Sequence, residues 1–425
     1  NPLAPRKPPF AATAKRVIFL FMFGGPSHLD TFDYKPVLQK RSGETAPDSF
    51  KTEGKLFGGP FKWKQRGKSG LWISDLYDAV ADRADDLCVI NSMHGSSSNH
   101  APAMYQMNTG VIIPGKPSMG SWVTYGLGSD NQNLPGYVLL FDVGPLGGSG
   151  QWTNAFLPAA FAGTRFRHTG QAVPDLKAPA GLEGVQRSTL DLVQSLNQKH
   201  RAAHPGLLDL EGRIASYELA YRMQAEALDV GDLAHETQST REMYGVDDAD
   251  KKTSSFARMC LLSRRLVEKG VRFVQLYNST DNLGWDAHKE LEKNHRANAR
   301  QTDKPIAALL KDLKDRGLLN ETLVVWAGEF GRTPTLEGTD GRGHNPHGFS
   351  VWMAGGGVKG GQRIGATDEI GLRAAESPAS VSDLHATILT ALGLGPNDLY
   401  FERSGRFERL IGVADSAKPI PGVLG

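Results

Sequence analysis

Cysteine is almost missing from this 425-residue chain, which has only Cys88 and Cys260. That excludes a disulfide framework, and there is no CxxC pair to hold a metal. Cys88 falls in the apolar run Leu87-Cys88-Val89-Ile90, and Cys260 in the helical pattern Phe256-Ala-Arg-Met-Cys-Leu-Leu, so both are expected as small buried hydrophobes. No run approaches about 18 consecutive apolar residues, which excludes a membrane-spanning helix. An excess of one charge is missing too: 48 Lys+Arg against 46 Asp+Glu leave a net +2. Without a long block of like charge, neither a nucleic-acid arm nor a membrane-binding patch is indicated. The aromatics do not alternate with basic residues, which sets nucleic acid aside as a partner, and no internal repeat is found.

A hydrophobic share of 40% with 22% charged residues is ordinary globular composition, sufficient for a sizeable core. The chain opens on Asn1 with the proline-rich NPLAPRKPPF, expected to be the start of a mature protein after removal of a signal peptide. An exported protein, periplasmic or extracellular, follows from that expectation. Residues 1–14 are expected as an extended segment and 15–425 as one catalytic domain.

Short apolar runs mark the strands. KRVIFLFMF (15–23) closes on Gly24-Gly25-Pro26, and Leu87–Asn91, Val271–Tyr277, Glu321–Ala327 and Phe349–Ala354 follow. Runs without polar alternation are those of strands buried on both faces. Helical spacing is expected over Gly70–Asp86, from Ala101, over Leu291–Leu318 and over Ser380–Leu392, and a helical insertion over about 185–268. Residues 128–185, rich in Gly, Pro and Ala, read as long loops, with a strand at Leu139–Phe141. Alternating strands and helices predict an α/β fold, a three-layer sandwich around a mostly parallel central sheet. Its ligand site is then expected beyond the carboxyl ends of the strands.

Polar residues gather at those ends. Ser27, His28 and Asp30 follow the first strand, and His94, Ser96–Ser98, Asn99 and His100 the second. Asp281, Asp286, His288 and His295 follow the third, and Glu329 and Arg332 the fourth, with His344 and His347 in the next connection. Imidazole with carboxylate is the ligand set of zinc or a similar transition metal. Singly, each residue reads as a solvated loop side chain or a helix cap, and it is the joint pattern that points to a metal site. His168, His200, His204 and His235 lie outside the pattern and read as structural, and Asp383 and His385 as capping and surface residues.

Several stretches resemble sulfatases and related phosphatases. NETLVVWAGEFG is similar to the strand that ends in their metal motif, with Glu329 where an Asp would stand, and SVSDLHATILTALG is similar to a sulfatase helix. In HAPAMYQMNTG, Pro102 and Thr109-Gly110 fall in register with the Cys-x-Pro-x-Arg…Thr-Gly motif, and His100 occupies the place of the modified cysteine. No cysteine is there to become formylglycine, and no arginine follows two residues after Pro102. With GGPSHLDTFD, GWDAHKELEKNH, GEFGRTP, GRGHNPHGF and GGGVKGG, the chain from Lys15 onward resembles the DUF1501 family, relatives of sulfatases often exported by the twin-arginine route. Gly343 departs from the Asp frequent in that family, which removes an expected support for His344. Gly24-Gly25 replaces the paired acids of sulfatases, so Asp30 or His28 is expected to supply that charge.

The resemblance implies a metal-dependent hydrolase of the alkaline phosphatase/sulfatase superfamily. The expected cofactor is a divalent metal, zinc first, with calcium or manganese as alternatives. The expected ligands are Asp286, His288, Glu329, His344 and His347, the last two competing. His100, Asp30 and Arg332 are candidate catalytic groups, and His28, His94, Asn99 and His295 candidates for substrate contact. His100 reads either as a nucleophile or as a ligand or general acid beside activated water. Arg332 reads as a fork for substrate oxygens. The expected substrate is a sulfate ester on a carbohydrate or another small anionic ester. The alternatives are a phosphomonoesterase or phosphodiesterase, and a non-catalytic carbohydrate- or protein-binding descendant.

Overall fold

A computed structural model describes the chain except residues 1, 175, 177–180, 182, 204–207, 279–283 and 413–415. Asp281 and His204 lie outside the described residues. The strands used below are β1 (Arg16–Met22), β2 (Leu87–His94), β3 (Tyr137–Leu140), β4 (Thr164–Phe166), β5 (Phe273–Asn278), β6 (Thr322–Ala327), β7 (Gly331–Glu337), β8 (Gly341–Asn345), β9 (Phe349–Ala354), β10 (Gln362–Ile364) and β11 (Ala379–Ser380). The helices are α1 (His100–Thr109), α2 (Met119–Leu127), α3 (Glu183–Ala203), α4 (Leu208–Gly231), α5 (Lys251–Glu268), α6 (Leu291–Asp315) and α7 (Val381–Ala391).

Nine strands form the central sheet in the order β10-β2-β9-β6-β1-β5-β3-β4, with β11 also beside β2. All neighbours are parallel except β9, which runs antiparallel to β2 and β6. The strands read as unbroken apolar runs because the sheet is covered on both faces. Along β5, Gln275 points to one layer, where its amide donates to Asn108 of α1 at 2.7 Å. One residue further along, its register partners alternate: Leu276 pairs with Leu20, and Leu20 with Trp326. Trp326 faces the other layer, with Tyr77 at 5.9 Å, whose hydroxyl lies 3.3 Å from Thr302 of α6. The sandwich therefore has α6 on one side, packed with α5, and α1 on the other, where His385 of α7 reaches the Met107 carbonyl.

Three expectations change. Over 70–86, Leu71–Ser74 is a strand paired antiparallel with Trp63–Arg66, and only Asp78–Ala81 is α-helical. The alternation Leu71 buried, Trp72 exposed, Ile73 buried has the period of a strand, which the longer helical window overrode. Within 185–268, α5 is no excursion: Phe256, Met259, Cys260 and Leu266 are buried and it packs on β1 and β5. His385 is fully buried rather than a surface residue, while Ser380 and Asp383 close a capping box at the start of α7. Both cysteines are buried. Residues 2–14 contain no helix or strand and lie against the ends of α2 and α7, through Arg6 N–H to Leu127 O and Thr13 N–H to Ala391 O. No helix among the described residues is long and apolar enough to cross a membrane.

Candidate metal centre

The site is assembled from the carboxyl ends of β1, β2, β5 and β6 and from the hairpin β7–β8. After β1 the backbone enters the left-handed region at Gly24 (φ 103°) and Gly25 (φ 68°). A Cβ on Gly25 would meet the Phe330 ring at 2.7 Å, so this turn needs glycine. The turn aims the Gly24 N–H at the Glu329 carboxylate, 3.0 and 3.2 Å away. Glu329, buried at the end of β6, accepts in turn from His100 Nδ1 at 2.6 Å. His100 opens α1, and its Nε2 lies 3.2 Å from Asp286 Oδ2.

Two more imidazoles repeat that arrangement. His344 Nδ1 faces the Ser98 carbonyl at 2.6 Å, and His288 Nδ1 faces the Glu337 carboxylate at 2.9 Å. Their Nε2 atoms lie 3.2 and 3.0 Å from Asp286 Oδ1. In each ring an acceptor holds Nδ1 as the N–H and leaves Nε2 beside the same carboxylate, where it donates when protonated and offers a lone pair to a metal when not. His344 reaches this position through a register shift in β8 between Arg342 and His344, a bulge that re-aims the side chain. The Phe330 ring supports the group, 4.9 Å from His100 and 4.6 Å from His344.

This donor set fits a metal ion. His100, Asp286 and His344 each bring a ligand atom within 4.8 Å of the others, a three-residue site able to coordinate one. The Nε2 atoms of His288 and His344 approach to 2.9 Å. Two imidazole lone pairs at that distance repel unless a cation or proton lies between them, and a tetrahedral zinc holds its nitrogens about 3.3 Å apart. Burial alone would raise the Asp286 carboxyl, but hydrogen bonds from His100, His344 and Arg332, with the Arg332 charge, hold it well below the usual carboxylate range. Burial alone would lower His100, but Asp286 and Glu329 raise it to about 9. Without a metal the ring is therefore protonated near neutral pH, and a metal must displace that proton. The His288 side chain is 42% exposed against 13% for His100 and Asp286, so the group opens to solvent on the His288 side.

The other expected site residues lie elsewhere. Arg332 is fully buried, and its guanidinium donates to the carbonyls of Gly24, Gly25 and Arg342 and to Asp286. It holds Asp286 in place and is not a fork for substrate oxygens. Asp30 is buried against Arg342 at 2.7 and 3.2 Å, and the Ser27 hydroxyl donates to it. His28 is buried, with Nε2 2.8 Å from the Gly371 carbonyl, and burial lowers it to about 4. His295 is fully buried and accepts from the Ser27 N–H at 3.1 Å, and burial holds it well below the ordinary histidine value. None of these three is accessible to a substrate. Neither Asp30 nor His28 supplies the charge expected beside Gly24-Gly25; Glu329 does. His347 is exposed and outside the cluster, lowered by partial burial and by the charges of Arg373 and His94. His94 is half-buried, and Asn99 is the exposed residue before α1.

Sequence reasoning missed Glu337. Its one signal was Gly343: a Cβ there would sit 2.8 Å from Glu337 Oε2, so glycine leaves room for that carboxylate. The support lost at residue 343 does not concern His344, which bonds the Ser98 carbonyl, and the nearby acid serves His288.

Among solved structures, the lipoteichoic acid synthase LtaP from Listeria monocytogenes is similar at 10% identity and a TM-score of 0.36, over 94% of this chain and 75% of that one. The PsFucS1 sulfatase from Pseudoalteromonas sp. is similar at 12% identity and a TM-score of 0.37, over 92% and 68%. The phosphonate monoester hydrolase SpPMH from Silicibacter pomeroyi is similar at 12% identity and a TM-score of 0.35, over 76% and 70%. No curated protein sequence matches the chain. Residues 14–424 match the family described as "Protein of unknown function (DUF1501)", and the chain belongs to that family.

Proposed function

We propose that the protein is a metal-dependent hydrolase of sulfate esters, carried on carbohydrate, that works without formylglycine. The observation that carries this is the convergence of three imidazole Nε2 atoms on Asp286, each ring fixed from behind by an acceptor at Nδ1. His100, His288, His344 and Asp286 are the proposed ligands, with Glu329 and Glu337 orienting two of the rings. The donor set favours zinc or manganese over calcium, which prefers oxygen ligands. A divalent ion there would neutralise the ester's charged oxygens and acidify the attacking water.

The chain's own groups supply the rest. His100 has both nitrogens engaged, by Glu329 and toward Asp286, which supports a ligand role over that of a nucleophile. The N-terminus of α1 carries partial positive charge beside the site, which favours a tetrahedral anion. Arg332 donates from the buried side to Asp286 Oδ1, the oxygen that His288 and His344 also face, while Oδ2 faces His100. The choice of sulfate rests on the resemblance of the His100 segment and of α7 to sulfatases. Both cysteines are buried, Cys88 in β2 and Cys260 in α5, which supports chemistry without a modified cysteine.

The test is turnover of matched aryl sulfate and aryl phosphate esters by the metal-loaded protein, with His288→Ala as control. Metal-dependent preference for sulfate, lost in the control, is expected. Preference for phosphate would make the protein a phosphatase, and a folded, metal-loaded protein without turnover of aryl esters or native sulfated glycans would end the catalytic reading.

A further inference from the structure

A second cleft, of about 210 Å³, lies beside the edge strand β10 and shares no residue with the metal centre. One wall is aromatic. The Tyr34 ring contacts two tryptophans of the 63–74 hairpin, 4.5 Å from Trp72 and 5.2 Å from Trp63, each tilted by 36°. Trp72 lines the cleft and is 39% exposed, whereas Trp is on average a highly buried residue.

The floor is polar and built. Asn91, 2% exposed, donates to the Phe32 carbonyl at 3.2 Å and to Asp33 at 3.3 Å. Its oxygen accepts from the Ser350 hydroxyl at 2.7 Å. Asp33, 1% exposed, also takes the Thr367 hydroxyl and the Lys35 ammonium, the latter at 3.1 Å. Lys35 thus balances the floor's acid from within the protein.

The rim carries Arg363, exposed on β10 opposite Val89 of β2. Its guanidinium makes no hydrogen bond or ion pair among the described residues. Lys35 makes the ion pair with Asp33 and Arg363 acts on that carboxylate only through its charge, so the cleft sets two cations against one acid. An aromatic wall takes the C–H face of a sugar ring and a planar guanidinium with free N–H groups suits a two-oxygen anion, while the floor, its polar groups paired with one another, fixes the shape of the cleft.

We infer that this cleft binds one sulfated pyranose unit of a glycan chain, stacked on Trp72 and Tyr34 with its sulfate on Arg363. The choice of sulfate as the anion rests on the function proposed for the metal centre; the wall, the floor and the free cation do not. Such a site would retain the polymer while the metal centre works on another unit.

The experiment is calorimetric titration of the full chain carrying His288→Ala with hexasaccharides of sulfated galactan, sulfated fucan and chondroitin sulfate, and with their desulfated forms. At least one sulfated probe is expected to bind at one per chain, ten times more tightly than its desulfated form. Arg363→Ala, which removes an exposed side chain that makes no hydrogen bond or ion pair among the described residues and so leaves folding intact, is expected to weaken binding tenfold, and Trp72→Ala to abolish it. Absence of saturable binding to all three probes, equal binding of desulfated forms, or unchanged binding in Arg363→Ala would overturn the inference. Because His288→Ala is already disabled at the metal centre, binding there with no ester turnover in the unsubstituted protein would condemn the catalytic reading and leave this one standing.

Discussion

His100 and His295 both follow a strand in the sequence, yet their surroundings set opposite behaviour. His100 has carboxylates at 2.6 and 3.2 Å, which raise it to about 9, and it shares a candidate ligand group with Asp286 and His344. His295 has no acid beside it, accepts a backbone N–H, and is held neutral by burial. His288 and His344 share the first one's position beside Asp286, while His28 and His385 are buried away from that carboxylate, against the Gly371 and Met107 carbonyls. Twelve histidines in the sequence are thus of at least two kinds. An acceptor behind an imidazole does not by itself make it a ligand; what separates the two kinds is a second ring nitrogen placed beside the Asp286 carboxylate.

Substitutions sharpen the division. His344→Ala should leave the fold intact, because the ring is partly exposed, but should reduce bound metal below one-tenth per chain and ester turnover by about a thousandfold or more, the equivalent of several kcal/mol of transition-state stabilisation. Elemental analysis and steady-state rates check it. Glu337→Gln keeps the shape and removes the charge behind His288, so metal affinity should fall about 10- to 100-fold with the thermal midpoint of the metal-free protein unchanged. His295→Ala should do the reverse: the Ser27 N–H loses its acceptor, destabilising the chain by about 1–3 kcal/mol in denaturant titrations, while metal per folded chain stays at the level of the unsubstituted protein.

The pH dependence of stability separates the two groups further. His28 is neutral in the folded chain down to about 4 but protonates near 6.5 when unfolded, so stability should fall as pH drops from about 6.5 to about 4. His100 works in the other direction. Its raised value stabilises the metal-free fold fully below about 6.5, and that stabilisation should be lost as pH rises to about 9. Saturating metal should remove the alkaline loss and leave the acid loss in place. The smallest effect is expected from His347→Ala, which should change turnover less than about twofold, since His347 is exposed and outside the cluster.

Much of the fold was legible because it is written in composition along short segments. The five apolar runs became strands of one sheet because only a sheet covered on both faces suits five residues or more without polar alternation. The location of the candidate site was legible: His100, Asp286 and His344, each following a strand or in the next connection, come within reach of one ion, and His288 lies beside the same carboxylate. What could not be read was orientation. Arg332 and Asp30 sit in the same loops as the ligands, but backbone carbonyls of Gly24 and Gly25 capture the first and Arg342 captures the second. Those pairings join residues more than three hundred positions apart, which a single sequence does not register. Glu337 escaped for a related reason: its position opposite Gly341 depends on the register of the β7–β8 hairpin.

The most direct test of the centre is calorimetric titration of the chelator-treated protein with zinc at pH 7, run in buffers of different ionisation enthalpy. One ion per chain, with release of about one proton and loss of the signal in His344→Ala, is the expected result, because His100 must give up its proton to the metal. A folded protein that takes up no zinc, or that binds it equally well after His344→Ala, would contradict the account.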